Sequence, residues 1–268
     1  MLEATSLLGC CAAGLLACSG TVQATSGTLE VDLVFPQNDT YAPEPIIPVA
    51  FAFQHSELAG YLQPSIAFSI SPYGNNSESI AGGYYDQTWT NFTSSDPYMQ
   101  YGEGLEVLNT EGTWMLEWTL SITNYSSSGN LEFSRDSKRR RTVFTKNGAK
   151  KPDLTAATGE DTCSNAQGYV FKITETQDSG DHLDNGKPCA VLAETTPTPS
   201  PCGVKIEASA ASSVSASLTD KACAVETASW CPEPDDEGAA QSLVIPSLAV
   251  GGIAFLAAAL SGLGFLVI

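Results

Sequence analysis

The run Trp114-Met115-Leu116-Glu117-Trp118-Thr119-Leu120-Ser121-Ile122-Thr123 decides the fold class. Trp114, Leu116, Trp118, Leu120 and Ile122 alternate with Met115, Glu117, Thr119, Ser121 and Thr123. Successive side chains of an extended chain point to opposite faces, so the pattern makes one apolar and one largely polar face, which is a half-buried β-strand.

The same period recurs on both sides of this run. Upstream, Leu29, Val31 and Leu33 alternate with Glu30 and Asp32; Val49, Phe51 and Phe53 with Ala50 and Ala52; Ile66, Phe68 and Ile70 with Ala67 and Ser69. Downstream, Thr142 to Thr145, Gly168 to Thr174, Ala190 to Ala193, Val204 to Ala208 and Val214 to Leu218 read as further strands. Turn signals separate them, including Ser71-Pro72-Tyr73-Gly74-Asn75, Ser94-Ser95-Asp96-Pro97, Ser128-Gly129-Asn130 and Asp184-Asn185-Gly186. No internal segment sustains a 3.6-residue period with caps. Short strands at this spacing predict an all-β fold, an antiparallel immunoglobulin-like β-sandwich, over residues 25–194. The Thr/Pro run 195–201 is then an extended linker, followed at 202–231 by a small disulfide-linked β module or the C-terminal part of the domain.

Both ends are apolar. Leu7 to Ala17 is too short to span a bilayer and is followed by small and polar residues, so 1–24 reads as a signal peptide cleaved after Ala24, with Ser19 or Gly20 as the alternative site. Leu15-Leu16-Ala17-Cys18 also has the form of a lipoprotein cleavage box. At the other end, Leu243 to Ile268 contains no charge, and no basic residue follows it. With the small residues Gly238, Ala239 and Ala240 ahead of it, this tail has the form of a glycosylphosphatidylinositol (GPI) attachment signal with Gly238 as the lipid-anchor position. A retained single membrane span is the alternative reading of the hydrophobic C-terminal helix at 243–268. Residues 232–242, with Glu233, Asp235, Asp236 and Glu237, form an acidic stalk that carries the anchor site.

The net charge is -18, from 12 Lys and Arg against 30 Asp and Glu, and residues 1–134 contain no Lys or Arg. Such a surface argues against nucleic acid as a partner. Four N-x-S/T sequons, at Asn38, Asn75, Asn91 and Asn124, predict a glycoprotein. Beyond the leader the chain keeps Cys163, Cys189, Cys202, Cys223 and Cys231, which an oxidising compartment would turn into disulfides. Pairing Cys163 with Cys189 and Cys202 with Cys223 brackets two hairpin-sized segments and leaves Cys231 odd; the spacing alone leaves other pairings open.

Leu29-Glu30-Val31-Asp32-Leu33-Val34-Phe35-Pro36, Thr142-Val143-Phe144-Thr145 with Gly148-Ala149-Lys150-Lys151-Pro152-Asp153-Leu154, and Pro201-Cys202 through Val204-Lys205-Ile206 to Cys223 resemble a family of secreted fungal proteins known only as a domain of unknown function. The resemblance spans residues 28 to 225. It implies a β-rich extracellular or wall-associated protein, and it supplies no reaction and no catalytic residues.

Enzyme chemistry has few materials. Only His55 and His182 could act as a histidine base, and no Gly-x-Ser-x-Gly elbow accompanies them. Glu103, Glu106 and Glu117 do not stand out from a general acidic surface as a glycosidase pair. No catalytic, cofactor-binding or metal-ligating residue is assigned; Asp178, Asp181, Asp184 and Asn185 form an oxygen-rich loop cluster that reads as solvated turn residues rather than a calcium site. Tyr84, Tyr85, Trp89, Phe92, Tyr98 and Tyr101 sit in a stretch without clean alternation, and Tyr85 and Trp89 are the candidate carbohydrate contacts, with Asp86, Gln87 and Gln100 available for sugar hydroxyls. The run Lys138-Arg139-Arg140-Arg141 reads either as a dibasic processing site or as a solvated loop. The expectation is a non-enzymatic, surface-anchored glycoprotein with a structural, adhesive or carbohydrate-interaction role at the cell envelope. It would be held to the membrane by its C-terminal anchor and partnered by wall polysaccharide. The alternative is an extracellular enzyme acting on that polysaccharide.

Overall fold

The computed structural model of the chain describes residues 25–74, 79–105, 107–126, 130–135, 139–177, 183–224 and 228–231. The leader, Asn75, Lys138, Asp178, Asp181, His182, the stalk with Gly238 and the 243–268 tail lie outside the described residues. Among the described residues no helix is long and apolar enough to cross a membrane.

The strands are β1 (Gly27–Phe35), β2 (Thr40–Tyr41), β3 (Ile46–Gln54), β4 (Ser65–Pro72), β5 (Ala81–Asp86), β6 (Tyr98–Leu105), β7 (Gly112–Tyr125), β8 (Leu131–Arg135), β9 (Arg139–Thr145), β10 (Gln167–Gln177) and β11 (Cys189–Leu192). Among the described residues two α-helices accompany them, α1 (Leu154–Ala157) and α2 (Ala208–Cys223). The fold is therefore mostly strand, with few helices, as the period-two pattern predicts.

β7 contains the opening run and organises one half of the sheet. It pairs antiparallel with β4 along one edge, and with β9 and then β8 along the other; β5 adds to β4. β1 organises the other half, between β10 and β3, with β6 outside β3 and β11 outside β10. One parallel pair, Val191 with Tyr125, joins β11 to β7 and makes the two halves a single mixed sheet. The apolar faces meet across the interior: the Phe51 ring lies 5.3 Å from Trp118 and 6.1 Å from Phe68, and Trp118 lies 4.7 Å from Tyr169. Phe51 and Trp118 are fully buried, and truncating either to Ala would cost about 3–5 kcal/mol.

The outer faces of the two halves differ. β1 is buried on both sides, because Glu30, Asp32 and Val34 are covered as well as Leu29, Val31 and Leu33. The cover comes from α1 and the turn Pro201–Gly203, while α2 lies against β3 and β6. This corrects the expectation of strands at Val204 to Ala208 and Val214 to Leu218: residues 208–223 are helical, and 202–231 is not a β module. The reason is composition and spacing. The segment contains Ala and Ser without Gly or Pro, and its buried residues Ala210, Val214, Leu218 and Ala222 recur every four positions, forming one stripe. Ala210, Val214 and Leu218 join the main hydrophobic core, so the helix belongs to the same body as the strands.

The disulfides are Cys163–Cys202 and Cys223–Cys231, and Cys189 is a buried free thiol. The expected pairing of Cys163 with Cys189 and Cys202 with Cys223 is thereby overturned. Cys163 precedes β10, whereas Cys189 opens β11 opposite Gln177 at the far end of β10. An extended strand of that length separates its ends by roughly 30 Å. The chain 193–201 then runs back along the sheet and returns Cys202 to the Cys163 end.

Candidate functional site

Among the described residues, no helix lies on the outer face of the β5–β4–β7 half. Cross-strand partners share a face, so Tyr84, Ala67 and Thr119 form one outward row, and Gly82, Ser69, Glu117 and Arg140 form the next. The small residues keep the backbone surface low. Above it stand Tyr84 at 68 % exposure, Phe133 at 68 % on β8, and Phe144 on β9. Trp89, 77 % exposed, follows β5 in a turn at the edge of this face.

That turn is pegged from below. Gln87 is buried; its Nε2 donates to Gln100 Oε1 (2.8 Å), its Oε1 accepts from Thr90 Oγ1 (2.6 Å), and its backbone N–H donates to the Pro64 carbonyl (3.1 Å). Asp86 Oδ1 accepts from both the N–H and the hydroxyl of Thr88, and these bonds hold its carboxyl below the ordinary carboxylate value. Trp89 is thus an apolar ring held out on a fixed loop rather than collapsed onto the surface.

Of the two candidate contacts, the structure separates Trp89 from Tyr85. Tyr85 pairs across the strands with Ile66, on the opposite face from Tyr84, and its ring stacks on Phe68 at 6.0 Å and 18°. Two adjacent tyrosines in one strand cannot face the same way, so Tyr84 takes the exposed place expected for Tyr85. Phe92, Tyr98 and Tyr101 are core or core-flanking; Phe92 packs 5.3 Å from Phe53 and 5.2 Å from Tyr98, and burial pushes the Tyr101 phenol up to about 12. Gln87 and Gln100, expected to meet sugar hydroxyls, bond to each other beneath the loop. Phe133 and Phe144 carry no signal in the aromatic stretch and were reachable only through strand register.

The run Arg139 to Arg141 is neither loop nor accessible linker, because it forms the start of β9. Arg140 faces out and pairs with Glu117 (2.5 Å). Arg141 is buried, donates to the Asn165 carbonyl, and burial pulls its guanidinium down to about 10. Arg139 lies over the Tyr169 ring, 4.2 Å from its centroid.

A pair of carboxyls lies on the covered face of β1. Burial, and then the charge of Glu30, push Asp32 up to about 8. Gln54 Nε2 donates to Asp32 Oδ2 (2.9 Å) and to the Ser200 carbonyl (3.0 Å), and Asp32 Oδ1 is buried without a partner. Ser200 and the turn after it roof the pair. His55 is exposed in a left-handed backbone conformation (φ 54°) before a 3-10 turn. In the loop proposed above as solvated, Asn185 Nδ2 donates to the Gly60 carbonyl (2.9 Å) and its Oδ1 accepts from the Lys187 N–H. Among the described residues no group of three His, Cys, Asp or Glu side chains is placed to hold a metal.

Three sequons fall among the described residues. Asn38 and Asn91 are exposed, and Asn91 Oδ1 accepts from both the N–H and the hydroxyl of Thr93. Asn124 faces inward on β7, 8 % exposed, with its Oδ1 accepting from Ser134. A glycan there has no room in the folded chain, so this sequon departs from the glycosylation that the four N-x-S/T patterns predict.

No curated protein matches this chain, and no solved structure matches it. Residues 24–235 match the family described as Domain of unknown function (DUF7136), so this protein belongs to that family, for which no activity is assigned.

Proposed function

We propose that the protein is a secreted, GPI-anchored glycoprotein whose open sheet face binds cell-envelope polysaccharide, with Trp89 and Tyr84 as the stacking rings. The single observation that carries this reading is the pegged turn, which holds an indole 77 % exposed beside a flat face of short side chains. Rings held in place bury the CH faces of sugars with little ordering cost. The Asp86 carboxylate and the outward hydroxyl of Ser69 flank the rings and can take sugar hydroxyls. In this reading the strands form an immunoglobulin-like β-sandwich, supported by the contact of the two apolar faces through Phe51 and Trp118. The leader is removed after Ala24, and lipid replaces the tail at Gly238. Two disulfides favour an oxidising compartment, and the placement at a fungal plasma membrane or wall follows the resemblance described above.

The test is retention on insoluble glucan and chitin. The double variant Trp89→Ala, Tyr84→Ala should lose at least about fivefold in bound fraction, equivalent to about 1 kcal/mol. Unchanged retention on every polysaccharide bound by the natural chain would count against this face. Phospholipase release from cells tests the anchor separately.

A second reading, an extracellular enzyme acting on wall polysaccharide through carboxylates, draws on Glu30 and Asp32. A raised carboxyl beside another is the arrangement acid–base chemistry needs. It requires the Ser200 roof to lift, and then Glu30→Gln should abolish release of reducing sugar while polysaccharide retention persists.

A further inference from the structure

The two halves of the sheet leave a seam on the side away from β5, between β8 and β9 on one wall and β10 and β11 on the other. A cavity of about 330 Å³ elsewhere, under α2, has mixed charge, with Glu44 and Asp153 beside Lys151. The seam cavity, about 320 Å³, is different in kind. It presents the cations Arg139 and Lys172, the rings of Tyr169 and Phe171, and the hydroxyls of Ser134 and Thr195, and no acidic residue among the described residues lines it. In a chain with 30 Asp and Glu, a cavity lined by two cations and, among the described residues, no acid is a local positive site, with Asp32 the buried acid near Arg139.

Among the described residues neither cation forms an ion pair, although the charge of Arg139 reaches the buried Asp32 carboxyl. The ion pairs among the described residues join Arg140 to Glu117, Lys150 to Asp39 and Lys151 to Glu44. Arg139 instead lies flat over Tyr169, and its Nε is buried without an acceptor. Stacking fixes the plane of the guanidinium, and a fixed guanidinium is preorganised for a planar, two-oxygen anion. The volume lies at the small end of ligand pockets, which suits one ring rather than a chain of them.

We infer that the seam cavity is a binding site for a carboxylate-bearing sugar of the uronic acid class. Its carboxylate meets Arg139, with Lys172 adding attraction at the rim. Its ring lies against Phe171, and its hydroxyls reach Ser134 and Thr195. The neutral-polysaccharide face on the β5 side is a separate site, and this inference stands without it.

The experiment is calorimetric titration of the purified, full glycoprotein with glucuronate, galacturonate, glucose and inorganic phosphate, at low and at physiological salt. Expected is saturable uronate binding that weakens with salt, with no binding of glucose at about 10 mM, the range of weak single-sugar sites. Arg139→Gln should weaken uronate binding at least about tenfold, a loss of about 1.4 kcal/mol. Lys172→Glu, at an exposed position, should weaken it as well and keeps the test decisive where the Arg139 variant fails to fold. Absence of uronate binding to the natural chain overturns the inference, as does binding that Lys172→Glu and Arg139→Gln leave unchanged. Phosphate binding as tight as uronate binding and lost in the same variants also overturns it, since the cavity would then hold an adventitious anion only.

Discussion

The backbone N–H of Ser200 donates to both carboxylate oxygens of Glu30, at 2.7 and 2.8 Å, across 170 residues of chain. This contact ties the Thr/Pro linker to the covered face of β1, so the linker read from sequence as a spacer between two modules is a roof over part of one body. Gln54 links the same roof to Asp32, and the Cys163–Cys202 bridge pins the chain two residues further on.

The roof makes stability pH-dependent. Asp32 titrates near 3.8 when unfolded and about 8 when folded, so between those values the native chain holds a proton that the unfolded chain lacks. Stability is then fully present below about pH 4 as far as this group is concerned, falls as pH rises, and flattens above about pH 8. Asp32→Asn keeps a neutral side chain throughout. Its melting temperature should decline less than that of the natural chain between about pH 5 and 8.5; parallel profiles would remove Asp32 as the cause.

The three neighbouring aromatics should separate by readout. Trp89→Ala and Tyr84→Ala remove exposed rings and should leave stability within about 0.5 kcal/mol. Tyr85→Ala removes a ring stacked on Phe68 and should cost about 2 kcal/mol in chemical denaturation.

Cross-linking should follow the observed map. Replacing Cys163 and Cys202 together opens a loop of 39 residues and should cost about 4 kcal/mol in the chain-entropy model. Cys189→Ala should be far milder in disulfide content, because this thiol bridges nothing. Burial pushes Cys189 up to about 11, so alkylation should label it only after denaturation. Mass mapping of the labelled cysteine decides between the maps.

A dibasic-specific protease should leave the native chain intact at Arg140-Arg141. Cleavage needs an extended, unpaired segment, and here the backbone is paired with β7 from Arg139↔Trp118 onward. Rapid cutting of native protein between these residues and Thr142 would show that β9 opens.

Sugar occupancy should be uneven. Peptide mapping should find glycan on Asn38 and Asn91 and none on Asn124, which is inward-facing. A glycan on Asn91 begins two residues from Trp89, so Asn91→Gln should raise polysaccharide retention where that site is occupied.

Much of the strand order was legible, and the reasons are local. Trp114 to Ile122 states its own inner face, and Val49 to Phe53 and Ile66 to Ile70 do the same, because period-two burial is written residue by residue. α2 was not legible as helix: its stripe has two Ala among four positions, and Val214 to Leu218 taken alone also fits a strand. Arg139 to Arg141 misled in the opposite direction, since charge suggests solvent while register with β7 places Arg141 inside. The site was half legible. Aromatic density marked the stretch, but choosing Tyr84 over Tyr85 required knowing which face Ile66 occupies, and the cation pair at the seam joins residues that only the closed sheet brings together.

The hidden thiol at Cys189 has a consequence for biogenesis. On the proposed secretory route, Cys189 would emerge before Cys202 and would be the next cysteine to follow Cys163. The finished molecule keeps that sulfur sealed in a small pocket with Tyr125 and Leu183, so the pocket acts as a safeguard against scrambling once folding is complete. On that route, a Cys163–Cys189 bond formed first would have to be undone by an isomerase before the Cys163–Cys202 bridge could close.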